Sequence, residues 1–418
     1  MTAISSAILS KFAQGLSTET AFDVLAVAKR LKAQGKDVIE LQIGDSPFAS
    51  SSHAIEAGIK AIRDGQTHYC PSMGVMSFRE MVAANYRKEY GIDIGPENVV
   101  VGPGAKVFEQ FFCEAFLDPG DQVLVFSPAF PTYAPNIDRR GGGIVTSHLK
   151  QENAFRPNLH DIEAFVKQPR ARAIFLNSPH NPTGGVATES DMKAIADLVR
   201  GKNIAVFSDE PYNHMVWAGK HIPMLAQPGI LDQTVACYTF SKSYSMSGWR
   251  LGYAISSPRI IDAIGKMINT SLSCVPPIVQ LAGEAALKHD DAERDEVMQR
   301  FKKKVELLVN ELKSVDGVTV IMPAGTFYVF PNVAPICMRL GITSHGLAMY
   351  LLEAADDAKG VACLGGECFG PAGKGFLRFS CAEPDDRLRA AVAFLKVAVE
   401  RVDRVQAYLA THAKYRLQ

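Results

Sequence analysis

The stretch that decides the fold runs from residue 234 to residue 252 and reads TVACYTFSKSYSMSGWRLG. Its first five residues are mostly β-branched, aromatic or apolar, which is typical of a buried strand. Thr239, Ser241 and Lys242 follow where that strand ends, and Arg250 comes a few residues later. Because parallel α/β sheets bind ligands at the carboxyl ends of their strands, these polar groups are candidates for a binding site.

The same pattern of a short strand and a helix-length segment recurs through the middle of the chain. Runs rich in β-branched or aromatic residues also occur at 99–101, 122–126, 172–176, 203–207 and 251–255. Turn sequences such as DPGD at 118–121 punctuate them. The alternation predicts an α/β fold with a mostly parallel sheet and helices on both faces.

The two ends of the chain follow other patterns. Apolar spacing over 21–31 predicts a helix before an extended segment at 38–43, and Ser77 with Glu80 forms a capping-box pattern that predicts a helix start. After residue 285 or so we expect helices over 290–313, 344–355 and 385–411, and strands near 318–321, 326–330 and 375–380. We therefore expect an N-terminal arm and helix (1–48) packed with the small domain, a large domain (49–288) and a smaller α+β domain (289–418).

The composition excludes several classes of protein. The 418 residues are 47% hydrophobic and 21% charged, which excludes a disordered chain. Lys and Arg number 44 and so do Asp and Glu, so no nucleic-acid partner and no anionic membrane surface is expected. The apolar runs are too short for a membrane span, and the first 15 residues lack a secretory-signal pattern. The eight cysteines form no Cys-x-x-Cys pair and the ten histidines show no ligand spacing, so we expect a cytoplasmic protein without a metal site.

Polar residues follow several of the predicted strands. Taken singly, each has an ordinary structural interpretation, such as a turn residue, a helix cap or a solvated lysine. Gly102-x-Gly104 is no dinucleotide fingerprint, since Val107 stands where a third glycine belongs. Convergence of several strand ends predicts instead one shared pocket for a ligand. The residues concerned are Asn177 and Asn181 after 172–176, Asp209 and Tyr212 after 203–207, and Gly104, Ala105 and Lys106 after 99–101.

These residues stand in motifs that resemble those of the class I/II aminotransferases, which are fold-type-I pyridoxal-phosphate enzymes. Residues 239–252, TFSKSYSMSGWRLG, resemble the cofactor-lysine motif of that family. The other motifs are LQIG at 41–44, HYCPSMG at 68–74, NSPHNPTG at 177–184, SDEPY at 208–212 and GFLRFS at 375–380. They occur in the family's order, and the chain is identified as a member from about residue 17 to about residue 410, similar to prokaryotic aspartate aminotransferases. The resemblance implies a sheet of the seven-stranded type.

The resemblance also implies pyridoxal 5'-phosphate as the cofactor and gives the candidate catalytic residues their roles. Lys242 is the amine that holds the cofactor covalently. Asp209 keeps the pyridine nitrogen protonated, because a carboxylate beside it raises its pKa. Tyr212 and Asn181 match the family's hydrogen-bond donors to the ring oxygen, and Phe130 holds the stacking position on the ring face.

The remaining roles concern the phosphate and the substrate. Arg378 matches the arginine that binds the α-carboxylate of the substrate, and Gly44 and Asn181 are expected beside it. Tyr69 matches a tyrosine that reaches the phosphate of the neighbouring subunit, which implies a homodimer with shared active sites. The other residues expected around the cofactor phosphate are Gly104, Ala105, Lys106, Thr239, Ser241 and Arg250.

The resemblance implies a transaminase in which Lys242, once freed, takes the Cα proton and returns it to the cofactor. A β-lyase, a lyase similar to aminocyclopropane-carboxylate synthase, or an oxidase on the same scaffold stays open, because the cofactor supplies the chemistry. The sensor half of a transcription regulator is not expected, since no segment the size of a helix-turn-helix precedes residue 17.

The substrate expectation depends on Lys106, which in one branch of the family contacts the distal carboxylate. We therefore expect aspartate or glutamate as one partner, with 2-oxoglutarate as the acceptor. Three stretches depart from the family pattern on the substrate side: residues 17–20 match only loosely, GDSPF at 44–48 adds Asp45 near the pocket, and GGECFG replaces the usual sequence at 365–370.

Overall fold

The computed structural model describes residues 8–16 and 19–417. Its strands are β1 (Asp37–Glu40), β2 (Val99–Gly102), β3 (Gln122–Ser127), β4 (Gly143–His148), β5 (Ala171–Asn177), β6 (Ala205–Asp209), β7 (Thr234–Thr239), β8 (Gly252–Ile255), β9 (Tyr328–Val329), β10 (Lys359–Ala362), β11 (Leu364–Gly365) and β12 (Leu377–Ser380). Its helices are α1 (Lys11–Gly15), α2 (Thr20–Ala33), α3 (Ser52–Arg63), α4 (Met76–Tyr90), α5 (Lys106–Phe116), α6 (Tyr133–Arg139), α7 (Leu159–Phe165), α8 (Glu189–Val199), α9 (Phe240–Ser243), α10 (Pro258–Leu272), α11 (Pro277–His289), α12 (Asp291–Leu312), α13 (Ala334–Leu340), α14 (Ser344–Glu353), α15 (Asp385–Ala398) and α16 (Val402–Thr411).

Within these residues, strands β2 to β8 form one seven-stranded sheet in the order β2-β8-β7-β6-β5-β3-β4. Neighbouring strands run parallel, except that β8 is antiparallel to both β2 and β7. Side chains alternate along each strand, so Phe175 and Phe207 pack in one hydrophobic core with α5 and α10, whereas Ile174 and Val206 pack in another with α4 and α8. The expected mostly parallel sheet with helices on both faces is confirmed.

The elements after α11 form a second, smaller unit with the N-terminal helix. Strand β1 pairs in parallel with β10, and β11, β12 and β9 form an antiparallel sheet. Val24 of α2, Ile39 of β1 and Phe301 of α12 belong to one hydrophobic core. Helix α2 and strand β1 therefore share a core with the C-terminal elements. The domain boundaries at residues 48 and 288 stay a prediction, and residues 1–7 of the arm lie outside the described part of the chain.

The predicted start of α4 is wrong in detail. The helix begins at Met76, with Val75 as the N-cap residue, so Ser77 lies inside the first turn and Glu80 follows that turn. The Ser77 hydroxyl donates to a carboxylate oxygen of Glu284 at 2.7 Å, instead of capping the helix. The Ser77 side chain, which the local pattern assigned to the helix cap, therefore forms a tertiary contact instead.

Two predictions in the C-terminal part also differ from the structure. Residues 318–321 form no strand in the described chain, and within them only Thr319 forms a bridge, to the backbone of Asn332. The helix predicted over 385–411 is two helices, α15 and α16. Arg401 leaves helical geometry between them with ψ 62°, and its guanidinium group binds Asp356 at 3.1 Å.

Three strands were absent from the sequence prediction, namely β4, β10 and β11. Strand β4 lies at the edge of the sheet with several exposed side chains, which weakens its apolar signal. Strands β10 and β11 have four and two residues, too few for a period to be read. Across the described ranges, no helix combines the length and apolarity needed to cross a membrane.

Candidate active site

A cavity of about 500 Å³ lies at the carboxyl ends of β2, β5, β6 and β7, where ligands of such sheets bind. It also borders the small domain through β11 and β12. The predicted site residues that line it are Gly44, Ala105, Lys106, Phe130, Asn177, Asn181, Asp209, Tyr212, Thr239, Ser241, Lys242, Arg250 and Arg378. Two predicted residues are not part of this lining: Gly104, which directly precedes the lining residue Ala105, and Tyr69, which is 88% exposed.

Lys242 lies on α9, a single helical turn that follows β7 at once. Thr239, the last residue of β7, accepts a hydrogen bond from the backbone N–H of Ser241 and so caps this turn. The Lys242 amine donates to the carbonyl oxygen of Gly44 at 2.5 Å. It also lies 5.9 Å from the centre of the Tyr212 ring. The strand end and the cap therefore direct a primary amine into the cavity, where one backbone carbonyl holds it.

Asp209 is the last residue of β6 and is buried at the base of the cavity. Its carboxylate accepts a hydrogen bond from the Tyr133 hydroxyl at 2.5 Å and a weaker one from the Cys237 thiol at 3.5 Å. Burial raises the pKa of Asp209 to about 6, although the hydrogen bonds from Tyr133 and Cys237 act in the opposite direction. A buried carboxylate of this kind favours a cation placed against it.

The loop between β2 and α5 forms an anion-binding corner with Arg250. Gly104 adopts φ +86°, and a Cβ there would lie 2.7 Å from Nη2 of Arg250, so the position needs glycine for both reasons. Ala105 and Lys106 then open α5, whose first N–H groups have no partner within the helix. The Arg250 guanidinium donates to the carbonyl oxygens of Ser247 at 2.8 Å and Pro103 at 3.1 Å, which fixes it beside the helix start.

Arg378 of β12 is buried on the opposite side of the cavity. It donates to Oδ1 of Asn181 at 3.0 Å and to the carbonyl oxygen of Gln42 at 2.6 Å. Its guanidinium stacks on the Tyr328 ring at 4.3 Å and lies 4.9 Å from the Phe369 ring. Its Nε is buried with no hydrogen-bond partner among the described residues. This cation therefore retains donor capacity for a carboxylate ligand.

Asn177 and Asn181 join these groups through a short chain of hydrogen bonds. Asn177 donates from its side chain to the backbone oxygen of Asp209 at 2.8 Å and accepts from the backbone N–H of Asn181 at 2.8 Å. Because Oδ1 of Asn181 already accepts from Arg378, its amide N–H₂ is the end that can serve a ligand. Tyr212 donates to the Tyr328 hydroxyl at 3.2 Å, and burial raises the pKa of Tyr212.

Two residues that interact with Asp209 were not predicted from the sequence. Glu109 is 2% exposed and accepts hydrogen bonds from Thr132 at 2.6 Å and Asn136 at 3.2 Å. Burial, and then the charge of Asp209, raises the pKa of Glu109. The other missed residue is Tyr133, the donor to Asp209. Helical spacing could have revealed Glu109, which lies one turn after Lys106 and so on the same face of α5.

Lys106, expected to contact the substrate, already has a partner in the chain. Its amine forms an ion pair with Glu19, which the sequence reasoning did not single out. It also lies 5.2 Å from the centre of the Phe130 ring. Ser17 and Thr18 lie outside the described residues. Asp45, expected near the pocket, directly follows the lining residue Gly44, but its exposed side chain accepts from the Ser46 N–H and is not itself part of the lining. In the described part of the chain, no cluster of side chains could hold a metal ion.

Comparison with known proteins gives concordant matches. The sequence model of a family described as aminotransferase class I and II matches residues 36–395. The aspartate aminotransferase of Pyrococcus horikoshii is 33% identical over 87% of this chain and 91% of its own length. The probable aspartate/prephenate aminotransferase of Aquifex aeolicus is 35% identical over 91% of this chain and 95% of its own length. The solved structure of the aspartate aminotransferase from Thermus thermophilus with maleate superimposes with a TM-score of 0.87 at 30% identity, over 93% of this chain and 99% of that one.

Proposed function

Because the chain belongs to the class I and II aminotransferases, it moves an amino group between an amino acid and a 2-oxo acid, and we propose that it does so with pyridoxal 5'-phosphate bound in the cavity. One observation carries the proposal. A primary amine (Lys242), a buried carboxylate (Asp209) and a buried guanidinium with an unused donor (Arg378) line the same cavity of about 500 Å³.

The residues fit the chemical groups of that cofactor. Its phosphate matches the corner formed by Gly104, Ala105 and Arg250, where helix N–H groups and a guanidinium lie together. Its protonated ring nitrogen matches Asp209, and its ring face matches the aromatic side chain of Phe130. When bound, the cofactor supplies an electron sink that makes the Cα proton of an amino acid acidic.

The chain's own groups then have separate tasks. Lys242 would hold the cofactor covalently through Nζ, and as a free amine Nζ would take the Cα proton of the amino acid and give it back. Asp209 holds a proton on the ring nitrogen, because its buried carboxylate is stabilised by the resulting cation. Arg378 binds the α-carboxylate of the substrate, and Asn181 donates to the ring oxygen, as would Tyr212 when its hydroxyl turns from Tyr328.

We propose that the enzyme is a homodimer with shared sites. The support is Tyr69, which is 88% exposed in the single chain although its motif assigns it to a phosphate in the partner subunit.

We also propose a cytoplasmic location. All eight cysteines are free thiols and five of them are buried, as expected for a reducing compartment.

For the substrates we propose aspartate or glutamate as one partner, with 2-oxoglutarate as the acceptor when aspartate is the donor and as the product when glutamate is the donor. The support is Lys106, whose amine lines the cavity beside Phe130. A cation at that place can form a charge-assisted hydrogen bond with a distal carboxylate, worth roughly 1.5–3 kcal/mol.

The test is a half-reaction screen on the purified yellow enzyme. Single amino acids are added, and the loss of yellow absorbance and the formation of a 2-oxo acid are followed. We expect the colour to be discharged by a substrate and restored by a 2-oxo acid. Release of ammonia without an acceptor, or uptake of oxygen, would contradict the proposal.

The covalent site is tested separately by borohydride reduction and peptide mapping. The label should appear on Lys242, and Lys242→Ala should bind the cofactor without a reducible link. Lys106→Ala is the matched control, because it removes another amine from the same cavity and should leave the label in place. A label on another lysine would contradict the assignment.

A further inference from the structure

We infer that Glu19 is a specificity-determining residue, because its carboxylate neutralises Lys106. While this ion pair is intact, the site admits substrates with neutral side chains. Dicarboxylates bind only when the pair opens. The inference deepens the proposed function and rests on it, since it concerns the side-chain end of the same substrate site. It adds neutral amino acids, as a second substrate class, to the dicarboxylic substrates proposed above.

The position of Glu19 makes it part of the cavity. It directly precedes α2 and lines the cavity beside Thr20 and Phe22. Its side chain is only 16% exposed, against 46% for its ion-pair partner Lys106. Because Lys106 lies 5.2 Å from the centre of the Phe130 ring, the pair stands in the part of the cavity beside that ring.

Lys106 is the one cation left for a substrate side chain among the described residues that line the cavity. The other three are Lys242, Arg250 and Arg378, and each of them already has a task at the cofactor or at the α-carboxylate. Whatever neutralises Lys106 therefore sets the charge that a substrate side chain meets. In this structure that group is Glu19.

The charge of Lys106 also acts to lower the pKa of the other two acids in the lining, Asp209 and Glu109, but each of these acids is hydrogen-bonded to other groups. Asp209 faces the ring nitrogen position and is bonded to Tyr133. Glu109 is buried and accepts from Thr132 and Asn136, and burial raises its pKa, which favours its neutral form.

A distal carboxylate and Glu19 would compete for the same ammonium group. An entering dicarboxylate has to replace one charge-assisted hydrogen bond by another, and it meets like-charge repulsion from Glu19 until that carboxylate turns away. A neutral side chain meets no such repulsion and packs on the apolar surface of Phe22, Pro131 and Phe369. The pair therefore lowers affinity for dicarboxylates without preventing their binding.

The chemistry of transamination gives this arrangement a use. The two substrates of the reaction occupy the same site in turn, and a neutral amino acid and a dicarboxylic acid make opposite demands on its charge. A free lysine would be an unpaired cation beside a neutral side chain, and a site without a lysine would reject the dicarboxylate. A lysine with a removable counter-ion serves both substrates.

The experiment compares the wild-type holoenzyme with Glu19→Gln, which keeps the shape of the side chain and removes its charge. Calorimetry measures the affinity for maleate, a dicarboxylate, and for isocrotonate, in which a methyl group replaces one carboxylate. Single-turnover rates with aspartate and with leucine are measured beside it. We expect Glu19→Gln to bind maleate about tenfold or more tightly than the wild type, because maleate no longer has to displace the charged Glu19 from Lys106. The affinity for isocrotonate and the single-turnover rate with leucine should stay within about threefold of the wild-type values.

A matched control is Glu163→Gln. Glu163 also forms an ion pair with a lysine, Lys167, but on the exposed surface of α7. It should leave both affinities unchanged. Glu19→Ala is the second variant and should give the same preference as Glu19→Gln.

The outcomes are separable from those of the proposed function. Equal maleate affinity in the wild type and both Glu19 variants would overturn the inference, and so would a gain that appears equally with isocrotonate or with Glu163→Gln. If no amino acid discharges the yellow colour in any variant, the proposed function fails, whereas the maleate titration still reports on the Glu19–Lys106 pair.

Discussion

Replacing Asp209 by asparagine is expected to stabilise the cofactor-free protein at neutral pH and to remove the activity. Burial raises the pKa of Asp209 from 3.8 to about 6, in spite of the hydrogen bonds from Tyr133 and Cys237. At pH 7.5 the folded protein therefore holds a carboxylate whose ionised form is disfavoured by about two pKa units, or about 3 kcal/mol at ~1.4 kcal/mol per unit. Asparagine keeps an acceptor oxygen for Tyr133 and carries no charge, so this penalty disappears.

The expected gain depends on pH. The carboxyl group titrates near 3.8 in the unfolded chain and near 6 in the folded one, so between these values the folded protein binds more protons. The contribution of Asp209 to the free energy of unfolding therefore falls as the pH rises through that window. The difference between Asp209→Asn and the wild type should be near zero at about pH 4 and should reach about 3 kcal/mol at neutral pH.

Urea unfolding of both cofactor-free proteins, followed by tryptophan fluorescence at several pH values, measures this difference. Asp191→Asn is the control of opposite sign. Although burial alone would raise the pKa of Asp191, its hydrogen bonds with Arg156 and Thr188 hold it below the usual value. Asp191→Asn should therefore destabilise the protein at pH 7.5, and less so as the pH falls. Equal free energies of unfolding for Asp209→Asn and the wild type at pH 7.5, or a gain that does not vary with pH, would refute the reasoning.

Three further predictions concern the phosphate corner, the carboxylate site and the dimer. Gly104→Ala should destabilise the protein by roughly 1–2 kcal/mol and weaken cofactor binding, because φ is +86° there and the new Cβ crowds Arg250. Urea unfolding measures the stability and cofactor titration measures the binding. An unchanged urea midpoint would contradict the prediction. Arg378→Lys keeps the charge but loses the planar fork, so kcat/KM for amino acids should fall about 10-fold to 100-fold in stopped-flow single turnovers, and a smaller loss would exclude bidentate binding. Mixing the inactive variants Lys242→Ala and Tyr69→Phe should restore part of the activity in hybrid dimers; a light-scattering mass of a monomer would exclude shared sites.

The strand ends that carry the site could be predicted from the sequence, because their signal is local. The run at 234–238 is apolar and β-branched, and Lys242 follows it at once, so both the strand and its exit residue can be read without tertiary information. The same holds for Asp209, although β6 begins two residues later than predicted and includes that residue. A short apolar run fixes the existence of a strand better than its ends.

Contacts between distant segments could not be predicted in the same way. Tyr133 reaches Asp209 across 76 residues of sequence, and Glu19 reaches Lys106 across 87. No spacing in the sequence predicts either pair. The first depends on how α6 packs beside the sheet, and the second depends on where the segment before α2 lies. The edge strand β4 could not be predicted for a related reason, since its several exposed side chains give no clear alternation of apolar and polar residues.

The buried acids link the proposed cofactor to the stability of the fold. Asp209 and Glu109 lie together in the cavity, and the charge of Asp209 adds to burial in raising the pKa of Glu109. A pyridinium cation against Asp209 would restore the ionised carboxylate that burial disfavours. Binding at 100 times the dissociation constant stabilises a folded protein by about 2.7 kcal/mol, close to the ~3 kcal/mol by which burial disfavours this group. The carboxylate that serves catalysis therefore weakens the empty fold, and cofactor bound at that excess would offset the loss, which is the usual relation between an active site and the stability of its scaffold.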